Sequence, residues 1–431
     1  MRLLTRLRLS ALILAGFLAL TGCADDSGNN GNNGGNNGAD AGADVGTDGD
    51  SDAGDAGDDA DAGESDPLFD PGPYNVGYKE LEISYAAPGS EEDRTIPLKV
   101  WYPAADTTDA ELVTYRVAGI VQIESELALD EPAAASDGPY PVTVYSHGSG
   151  GEGLLAYPYA EVFASYGWLV AAPNHVGNTA LDGLQQTTAP FAEIMLYRVL
   201  DVSAVLDALE NGFGDDTIDG ISDMEQVFLF GHSFGAYTTL AAGGADIDYD
   251  ALNSNCASFG QDSCDFLAES DVETAYRDGF GDERIDAIAP QAPALVQSFG
   301  DGELAGITLP TMLQTGRRDQ TTTQTGQAEP AWDALDDPED VWVEMPDGGH
   351  LSFISICRDL SPSLIQQFQS NADEDGCGES FIDIEVALAN LRAYLLAYAR
   401  LHVLGEADNQ ATIEGEPLDQ GFVITVGADT N

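Results

Sequence analysis

The chain has 431 residues, 43% of them hydrophobic, which is enough to bury one large α/β core or two ordinary ones. Its formal net charge of −60 arises from 75 acidic against 15 basic residues. A field of this sign repels nucleic acid and disfavours anionic substrates, so the composition excludes a nucleic-acid-binding protein and favours a neutral or apolar substrate.

The N-terminus has the pattern of an export signal. In MRLLTRLRLSALILAGFLALTGC the arginines come first, an apolar stretch follows, and small residues precede Cys23. The LTGC ending resembles the lipobox of bacterial lipoproteins, which implies a signal peptide over residues 1–22 and a lipid on Cys23. We expect an exported lipoprotein anchored to a membrane, in the periplasm or at the cell surface. Ordinary secretion with an incidental Cys23 is the alternative.

Residues 23–66 predict a flexible tether. Beyond Cys23 the segment consists almost wholly of Asn, Gly, Asp and Ala, with hardly any side chain to bury. Such a segment cannot offset the entropy lost on ordering, so it stays disordered. The tether would separate the lipid anchor from a folded domain that we predict over residues 67–431.

Four cysteines remain for disulfide bonds. Cys256, Cys264, Cys357 and Cys377 are an even number in a chain predicted to be exported, where disulfides persist. Each close pair is separated by a polar loop that contains Gly or Asp, which favours Cys256–Cys264 and Cys357–Cys377 among the three possible pairings. The spacing lacks the short double pairs of a zinc site, so we expect no metal.

The folded part begins with two alternating runs, residues 74–84 and 95–104, which predict a pair of strands. Apolar strands then alternate with helical segments. Further strands are predicted at 139–148, 168–177, 226–230, 284–295, 307–316 and 341–346, and helices at 156–167, 194–212, 231–244 and 382–405. This alternation predicts an α/β fold with a mostly parallel central sheet flanked by helices. Residues 245–282 interrupt it with polar, glycine-rich sequence and predict a small cap insertion.

The stretch GHSFG, residues 231–235, contains the candidate nucleophile Ser233. A serine hydroxyl becomes reactive when a base stands beside it and a sharp strand-to-helix turn exposes its oxygen. Glycines two residues before and after Ser233 remove the side chains that would clash in such a turn. The motif follows an apolar strand and precedes a helical segment, which is the context that it requires. A serine that merely caps the helix is the alternative.

Among the five histidines, His350 is the best placed to act as the base. It lies on a glycine-rich loop after the 341–346 strand, whereas His175, the main rival, precedes the serine in the chain. The orienting acid should follow a strand between the serine and the histidine, because the imidazole needs a fixed tautomer. Asp319 directly follows the 307–316 strand and fits that position.

Negative charge that develops on a carbonyl oxygen needs hydrogen-bond donors. The backbone N–H of Phe234 follows the nucleophile, and SHGSGGEG, residues 146–153, offers bare backbone after an early strand. We expect the N–H groups of Ser149 and Phe234 to form an oxyanion hole. Tyr157, Tyr237 and Leu351, together with the Phe234 side chain, are candidate pocket walls, with a plain core role as the alternative.

Several segments in one order resemble the α/β-hydrolases, in the branch of dienelactone hydrolases and platelet-activating-factor acetylhydrolases. They span residues 74 to about 405 and are RTIPLKVWYPA, YPVTVYSHGSGG, ASYGWLVAAPNHVGN, the 198–209 helix, GHSFGAYT and GGHLSF. The resemblance implies an α/β-hydrolase fold and the serine, acid, histidine order. Dienelactone hydrolases use a cysteine nucleophile where this chain has Ser233, so lactone specificity is not implied.

The position of the acid departs from the acetylhydrolases. Plasma-type acetylhydrolases place it after the sixth strand, where this chain has Gln291. The spacing from Gly316 to Asp319, followed by GGHLSF, is instead similar to the cutinases and polyester hydrolases. This mixture leaves open whether the acyl group and leaving group come from a lipid, a phospholipid, a polyester or a small ester.

These features predict an exported serine hydrolase that cleaves carboxylic esters through an acyl-enzyme intermediate and needs no cofactor. Its partners would be an ester substrate and, through the lipid anchor, a membrane. The alternative from another class is a surface binding lipoprotein without catalytic activity on a hydrolase scaffold, because a fold alone does not secure a function. The sequence does not indicate an oligomeric state.

Overall fold

The computed structural model describes residues 68–106, 110–300, 302 and 304–427. The predicted signal peptide, Cys23, the predicted tether and the first residue of the predicted domain lie outside these ranges. Among the described residues, no helix is both long enough and apolar enough to cross a membrane.

Within the ranges that the structure describes, a central sheet of eleven strands organises the fold. The strands are β1 (Asn75–Ala86), β2 (Asp93–Ala104), β3 (Leu112–Val117), β4 (Val121–Asp130), β5 (Tyr140–Ser146), β6 (Leu169–Pro173), β7 (Ser222–His232), β8 (Ala287–Gln291), β9 (Met312–Gly316), β10 (Val341–Met345) and β11 (Val423–Val426). Their order across the sheet is β11-β10-β9-β8-β7-β5-β6-β2-β1-β4-β3. The chain therefore crosses over between β5, β6 and β7, as an α/β sheet requires.

The sheet is mixed, with a parallel centre and antiparallel pairs on either side of it. The strands from β6 through β5, β7, β8 and β9 to β10 run parallel to their neighbours. Antiparallel pairs flank this centre, with β2 against β6 and β1 on one side and β11 against β10 on the other. The predicted pairing of the first two strands is confirmed, whereas β3, β4 and β11 occupy segments in which the sequence predicts no strand.

Helices cover both faces of the sheet. They are α1 (Tyr157–Ser165), α2 (Ala180–Gln185), α3 (Phe191–Asn211), α4 (Phe234–Ala242), α5 (Tyr249–Ser254), α6 (Gln261–Leu267), α7 (Ser270–Asp278), α8 (Glu329–Ala334), α9 (Ile356–Asp359), α10 (Pro362–Phe368), α11 (Ile384–His402) and α12 (Gln410–Glu414). The four longer helices that the sequence predicts correspond to α1, α3, α4 and α11.

Successive residues of β7 explain why the sheet is buried on both sides. Side chains alternate across a strand, so Val227 and Leu229 join one core, with α3 and α4, while Phe228 and Phe230 join the other, with α1 and α11. All four residues are fully buried. This pattern accounts for the continuous apolar run in the sequence.

The insertion at residues 245–282 folds into α5, α6 and α7, and α6 packs against α3. Tyr276 donates a hydrogen bond from its hydroxyl to the carbonyl oxygen of Ala192 in α3 (2.7 Å). Asp271 accepts one from the backbone N–H of Gly89, in the turn between β1 and β2 (2.9 Å). The insertion is thus anchored to α3 and to the first hairpin.

Candidate active site

Four loops bring the predicted site residues to one edge of the sheet. The loops follow β5, β7, β9 and β10, and they carry Ser149, Ser233, Asp319 and His350 respectively. These four strands belong to the parallel centre of the sheet, so their carboxyl ends lie along the same edge. Residues far apart in the sequence therefore meet there.

Ser233 occupies a strained turn between β7 and α4. Its backbone angles are φ 60° and ψ −116°, a conformation that residues with a side chain rarely adopt. Its N–H donates to the carbonyl oxygen of Gln291 at the end of β8 (2.9 Å). A Cβ on Gly231 would lie 2.5 Å from the carbonyl oxygen of Gly235, and one on Gly235 would lie 1.8 Å from that of Ser146. Both glycines are therefore required for the turn to pack.

Ser233, His350 and Asp319 form a continuous chain of hydrogen bonds. Nε2 of His350 lies 2.9 Å from Oγ of Ser233, and Nδ1 lies 2.7 Å from Oδ2 of Asp319. The carboxylate can only accept, so Nδ1 carries the proton and Nε2 is free to accept from the serine hydroxyl. Each of the three side chains belongs to a residue that is only 5% exposed. The arrangement matches the geometry that makes a serine nucleophilic.

The surroundings of His350 raise its pKa above the ordinary value. Burial disfavours the imidazolium, but the charge and hydrogen bond of Asp319, with a smaller contribution from Asp375, outweigh that effect. For Asp319, burial is likewise outweighed by His350 and by hydrogen bonds from Thr322, so the pKa of its carboxyl is lowered. The N–H groups of Thr321 and Thr322 donate to Oδ1 at 2.8 and 2.6 Å. These bonds hold the carboxylate ionised and aimed at the imidazole.

His232 supports His350 from the other side. Its Nε2–H donates to the carbonyl oxygen of His350 (2.9 Å), and the two ring centroids lie 4.7 Å apart. Burial lowers the pKa of His232 to about 3, so its ring is neutral at ordinary pH. Nothing in the sequence reveals this positioning contact.

The backbone N–H groups of Phe234 and Ser149 are available near Ser233. Within the described ranges, neither donates to a protein acceptor. The turn before Ser149 lies close to the serine, because a Cβ built on Gly148 would be 3.3 Å from Cβ of Ser233. Asn178 holds this turn, since its side chain donates to Oγ of Ser149 (3.1 Å). Both N–H groups thus belong to segments in close contact with Ser233, where the sequence predicts an oxyanion hole.

Arg198 in α3 connects the two segments that carry these donors. Its guanidinium donates to the carbonyl oxygen of His147, to the side chain of Asn178 (2.7 Å) and to that of Thr238 (3.2 Å), and it lies over the Phe234 ring. Burial lowers the pKa of Arg198 to about 9, which leaves the group charged at neutral pH. A buried positive charge therefore lies beneath the proposed donors.

The rival base His175 belongs to a second, deeper chain of hydrogen bonds. Its Nε2 lies 2.9 Å from Oγ of Ser146, and its Nδ1 lies 2.9 Å from Oδ2 of Asp201, which Arg94 also binds. Ser146, His175 and Asp201 are completely buried. Burial lowers the pKa of His175 to about 3. This chain braces the end of β5, while Ser233 is reached by His350.

The predicted pocket residues lie in three different surroundings. Tyr237 belongs to α4, is fully buried, and donates to the carbonyl oxygen of Met195 in α3 (3.3 Å). Tyr157, the first residue of α1, donates to Asp359 in α9 (2.7 Å). Leu351 directly follows His350 and packs in a small apolar cluster of Ile354, Ile365 and Ala372. Of the three, Leu351 stands nearest in sequence to the hydrogen-bonded chain.

Aromatic rings extend from Phe234 to the insertion. Phe191, the first residue of α3, stacks on Phe234 with ring centroids 5.9 Å apart, and on Phe259 of the insertion at 4.7 Å. Phe191 and Phe259 are both partly exposed. The insertion therefore reaches the neighbourhood of Ser233 through one turn, at residues 256–259.

Two disulfide bonds join Cys256 to Cys264 and Cys357 to Cys377. These are the pairs that the loop composition favours. The first pair closes the turn that contains Phe259, and the second closes the segment that follows His350. Across the described ranges, no group of three or more His, Cys, Asp or Glu side chains is arranged to hold a metal ion.

No protein-family model matches the chain, and no curated protein matches it. Among solved structures, the chain is similar to a ferulic acid esterase from Streptomyces cinnamoneus, with a TM-score of 0.55 and 20% sequence identity. The alignment covers 83% of this chain and 98% of the esterase. The two proteins therefore share their overall fold.

Proposed function

We propose that this protein is an exported serine hydrolase that cleaves carboxylic esters by acyl transfer. The observation that carries the proposal is the chain from Ser233 through His350 to Asp319, built on a strained strand-to-helix turn. A strained backbone conformation at Ser233 raises the free energy of the folded state, and such strain concentrates at functional sites. A role of Ser233 as the nucleophile explains why the strain is present.

In the proposed reaction Ser233 attacks the ester carbonyl carbon while His350 accepts its proton at Nε2. Asp319 keeps the imidazole in the tautomer that can accept and stabilises the imidazolium that forms. His350 then returns the proton to the leaving alcohol, and an acyl group remains on Ser233. A water molecule, activated by the same imidazole, releases the acid and restores the serine.

The N–H groups of Phe234 and Ser149 would hold the negative oxygen of each tetrahedral intermediate. Arg198 contacts the Phe234 ring and Asn178, which in turn binds Ser149, and these contacts would hold the two donors in place before the charge develops. The buried guanidinium adds positive potential at the same place. Its charge is not neutralised by direct contact with a carboxylate among the described residues.

We further propose the α/β-hydrolase fold and membership of the dienelactone hydrolase and acetylhydrolase branch. The parallel centre of the sheet and the serine, acid, histidine order support this assignment. The fold shared with a ferulic acid esterase supports ester chemistry by analogy. The partly exposed rings of Phe191 and Phe259 favour an ester with an apolar or aromatic group.

A fluorophosphonate probe tests the proposal directly. The native protein should be labelled on Ser233, as located by peptide mass spectrometry, and Ser233→Ala should lose the label together with hydrolysis of p-nitrophenyl acetate. Ser84→Ala, at an exposed position in β1, is the matched control and should be labelled like the native chain. No label on the native protein, or a label on Ser146, would refute the assignment.

The lipid anchor is a separate part of the proposal. The LTGC ending and the two disulfides support export and acylation of Cys23. Expressed in a bacterium with its own signal, the protein should partition into the detergent phase of a Triton X-114 extraction, and Cys23→Ser should move it to the aqueous phase. Equal partitioning of the two would contradict acylation.

A further inference from the structure

Asp375 is a second buried carboxylate beside the Asp319 and His350 pair. It lies 25 residues beyond His350 and is completely buried. Its Oδ1 accepts from the backbone N–H of His350 (3.0 Å) and from that of Gln320 (2.9 Å). Its Oδ2 accepts from the hydroxyl of Thr321 (2.7 Å). One side chain thus binds the loop of the proposed acid and the loop of the proposed base.

The backbone around Asp375 reinforces this link. Its carbonyl oxygen accepts from the N–H of Leu351 (2.9 Å), so the segment pairs with the residue after His350 as well. A Cβ on Gly349 would lie 2.6 Å from the carbonyl carbon of Asp375, and one on Gly376 would lie 2.8 Å from the nitrogen of Leu351. Cys377 fixes the same segment through its disulfide. The approach is close enough to exclude side chains at both glycines.

No cation neutralises Asp375 in the part of the chain that the structure describes. Its partners are two N–H groups and a hydroxyl, while the nearby cations Arg317 and Arg318 pair with Glu344 and Asp347. A buried charge without a counterion destabilises the fold unless it interacts favourably with another group. Here that group is the His350 imidazole, which becomes cationic during the proposed reaction.

We infer that Asp375 is a positioning residue for the proposed reaction, tying the Asp319 loop to the His350 loop and favouring the imidazolium through its negative charge. This inference rests on the proposed function. The charged and titratable groups facing His350 are Asp319, Asp375 and His232, and His232 is neutral at the pH of the reaction. Asp319 acts by direct contact, whereas Asp375 acts through the backbone and through space.

Asp375→Asn separates the charge from the geometry. The asparagine oxygen can still accept from both N–H groups, and the Thr321 hydroxyl can turn to accept from the new amide, so the loops should stay in place. Asp375→Ala removes the acceptors as well and leaves the buried N–H of His350 and the partly buried N–H of Gln320 without this partner. Asp373→Asn, an exposed aspartate two residues earlier, is the matched control.

The experiment is the pH profile of kcat/KM for p-nitrophenyl acetate. His350 must be neutral to act as a base, so kcat/KM rises with pH through the pKa of His350, above the ordinary value of about 6.5. Asp375→Asn should move this midpoint to lower pH, on the order of half a unit, since loss of a nearby negative charge disfavours the imidazolium. Its plateau should fall less than that of Asp375→Ala, for which we expect a loss of roughly 10- to 100-fold.

A midpoint unchanged in Asp375→Asn would overturn the inference, and so would kinetics equal to those of Asp373→Asn. An NMR titration of the His350 ring, assigned with His350→Gln, provides a readout independent of turnover. If the native chain hydrolyses no ester and takes no fluorophosphonate, the proposed function fails. Even then the His350 midpoint must fall in Asp375→Asn for the electrostatic effect of Asp375 to stand.

Discussion

The carbonyl oxygen of Ser146 lies so close to Gly235 that a Cβ on the glycine would stand only 1.8 Å away. The end of β5 and the first turn of α4 are therefore in backbone contact beside Ser233. The end of β5 cannot move away without losing hydrogen bonds, because β5 is paired with β7 and Ser146 is hydrogen-bonded to the buried His175. This contact couples the turn of the proposed nucleophile to the loop of the proposed oxyanion hole.

Gly235→Ala should therefore disrupt both segments. We expect a loss of about 3 kcal/mol or more in the free energy of unfolding, because the clash involves backbone on both sides. Esterase activity should fall below detection. Gly306→Ala is the control, since the nearest atom to its Cβ would be 3.7 Å away. Urea unfolding curves measure both variants, and similar midpoints would disprove the contact as described.

Asp319→Asn tests the role of the carboxylate without changing its shape. The asparagine oxygen can still accept from Thr321 and Thr322, so its NH₂ group would face Nδ1 of His350. His350 would then carry its proton on Nε2 and could not accept from Ser233. We expect kcat to fall by about 10⁴-fold, the effect of the equivalent change in chymotrypsin-like enzymes.

The control for this substitution is Asp336→Asn, an exposed position before β10. Its kinetics should equal those of the native protein, measured with the same ester. If Asp319→Asn retained most of its kcat, the orienting acid would have to be another group, and Asp375 would be the first to examine.

The sequence predicts those site residues that lie in a recognisable local sequence pattern. Ser233 stands between two glycines after an apolar strand, and His350 and Asp319 each follow a strand directly. The apolar centre of the sheet is predictable for the same reason, since continuous apolar runs mark strands buried on both faces. At these residues, the end of a strand in the sequence is also the edge of the sheet where the site lies.

The missed elements have weak local patterns. Strands β3 and β4 form an outer hairpin in which exposed residues such as Glu124 and Glu126 alternate with inward-facing ones, and the polar Ser125 takes one of the buried positions. Strand β11 is four residues long and half-exposed. Edge strands of this kind are stabilised by their neighbours more than by their own composition, so a single sequence gives little sign of them.

The supporting polar residues could not be predicted, because their roles depend on contacts across the fold. Arg198 is recognisable as part of a helix, but its orientation toward His147 and Asn178 follows from how α3 packs on the sheet. Asp375 is one of many aspartates in an acidic chain, and what distinguishes it is its burial and its hydrogen bonds to the loops of Asp319 and His350.

Arg198→Lys should impair the proposed oxyanion hole while keeping a positive charge. An ammonium group cannot reach His147, Asn178 and Thr238 together, because only the planar guanidinium offers donors in several fixed directions. We expect kcat to fall roughly 10- to 100-fold with little change in KM, as donors that act in the transition state are displaced. Arg277→Lys, on the exposed face of α7, is the control. Equal kcat values for the two variants would rule out this role.

The two disulfides should affect different kinetic constants. Each closes a short loop, and on the loop-entropy account removing either one should cost about 2 to 3 kcal/mol in the free energy of unfolding. The Cys357–Cys377 loop contains Asp375, which binds the backbone of His350. Loss of this disulfide should therefore lower kcat. The Cys256–Cys264 loop contains Phe259, whose ring stacks on Phe191, so its loss should mainly raise KM for an aromatic ester.

The two disulfides are compared by replacing both cysteines of each pair with serine. Both double variants are assayed with p-nitrophenyl acetate and with an aromatic ester such as methyl ferulate. The two bonds close loops with sequence separations of 8 and 20, for which the loop-entropy account gives losses that differ by less than about 1 kcal/mol. Each double variant therefore controls for the general loss of stability in the other. Assays well below both melting temperatures keep unfolding out of the kinetics. The assignment predicts a kcat defect with both esters for Cys357→Ser/Cys377→Ser, and for Cys256→Ser/Cys264→Ser a KM defect that is larger with the aromatic ester. The reverse pattern would contradict the assignment. It would mean that the segment after His350 binds the substrate and that the insertion positions the catalytic groups.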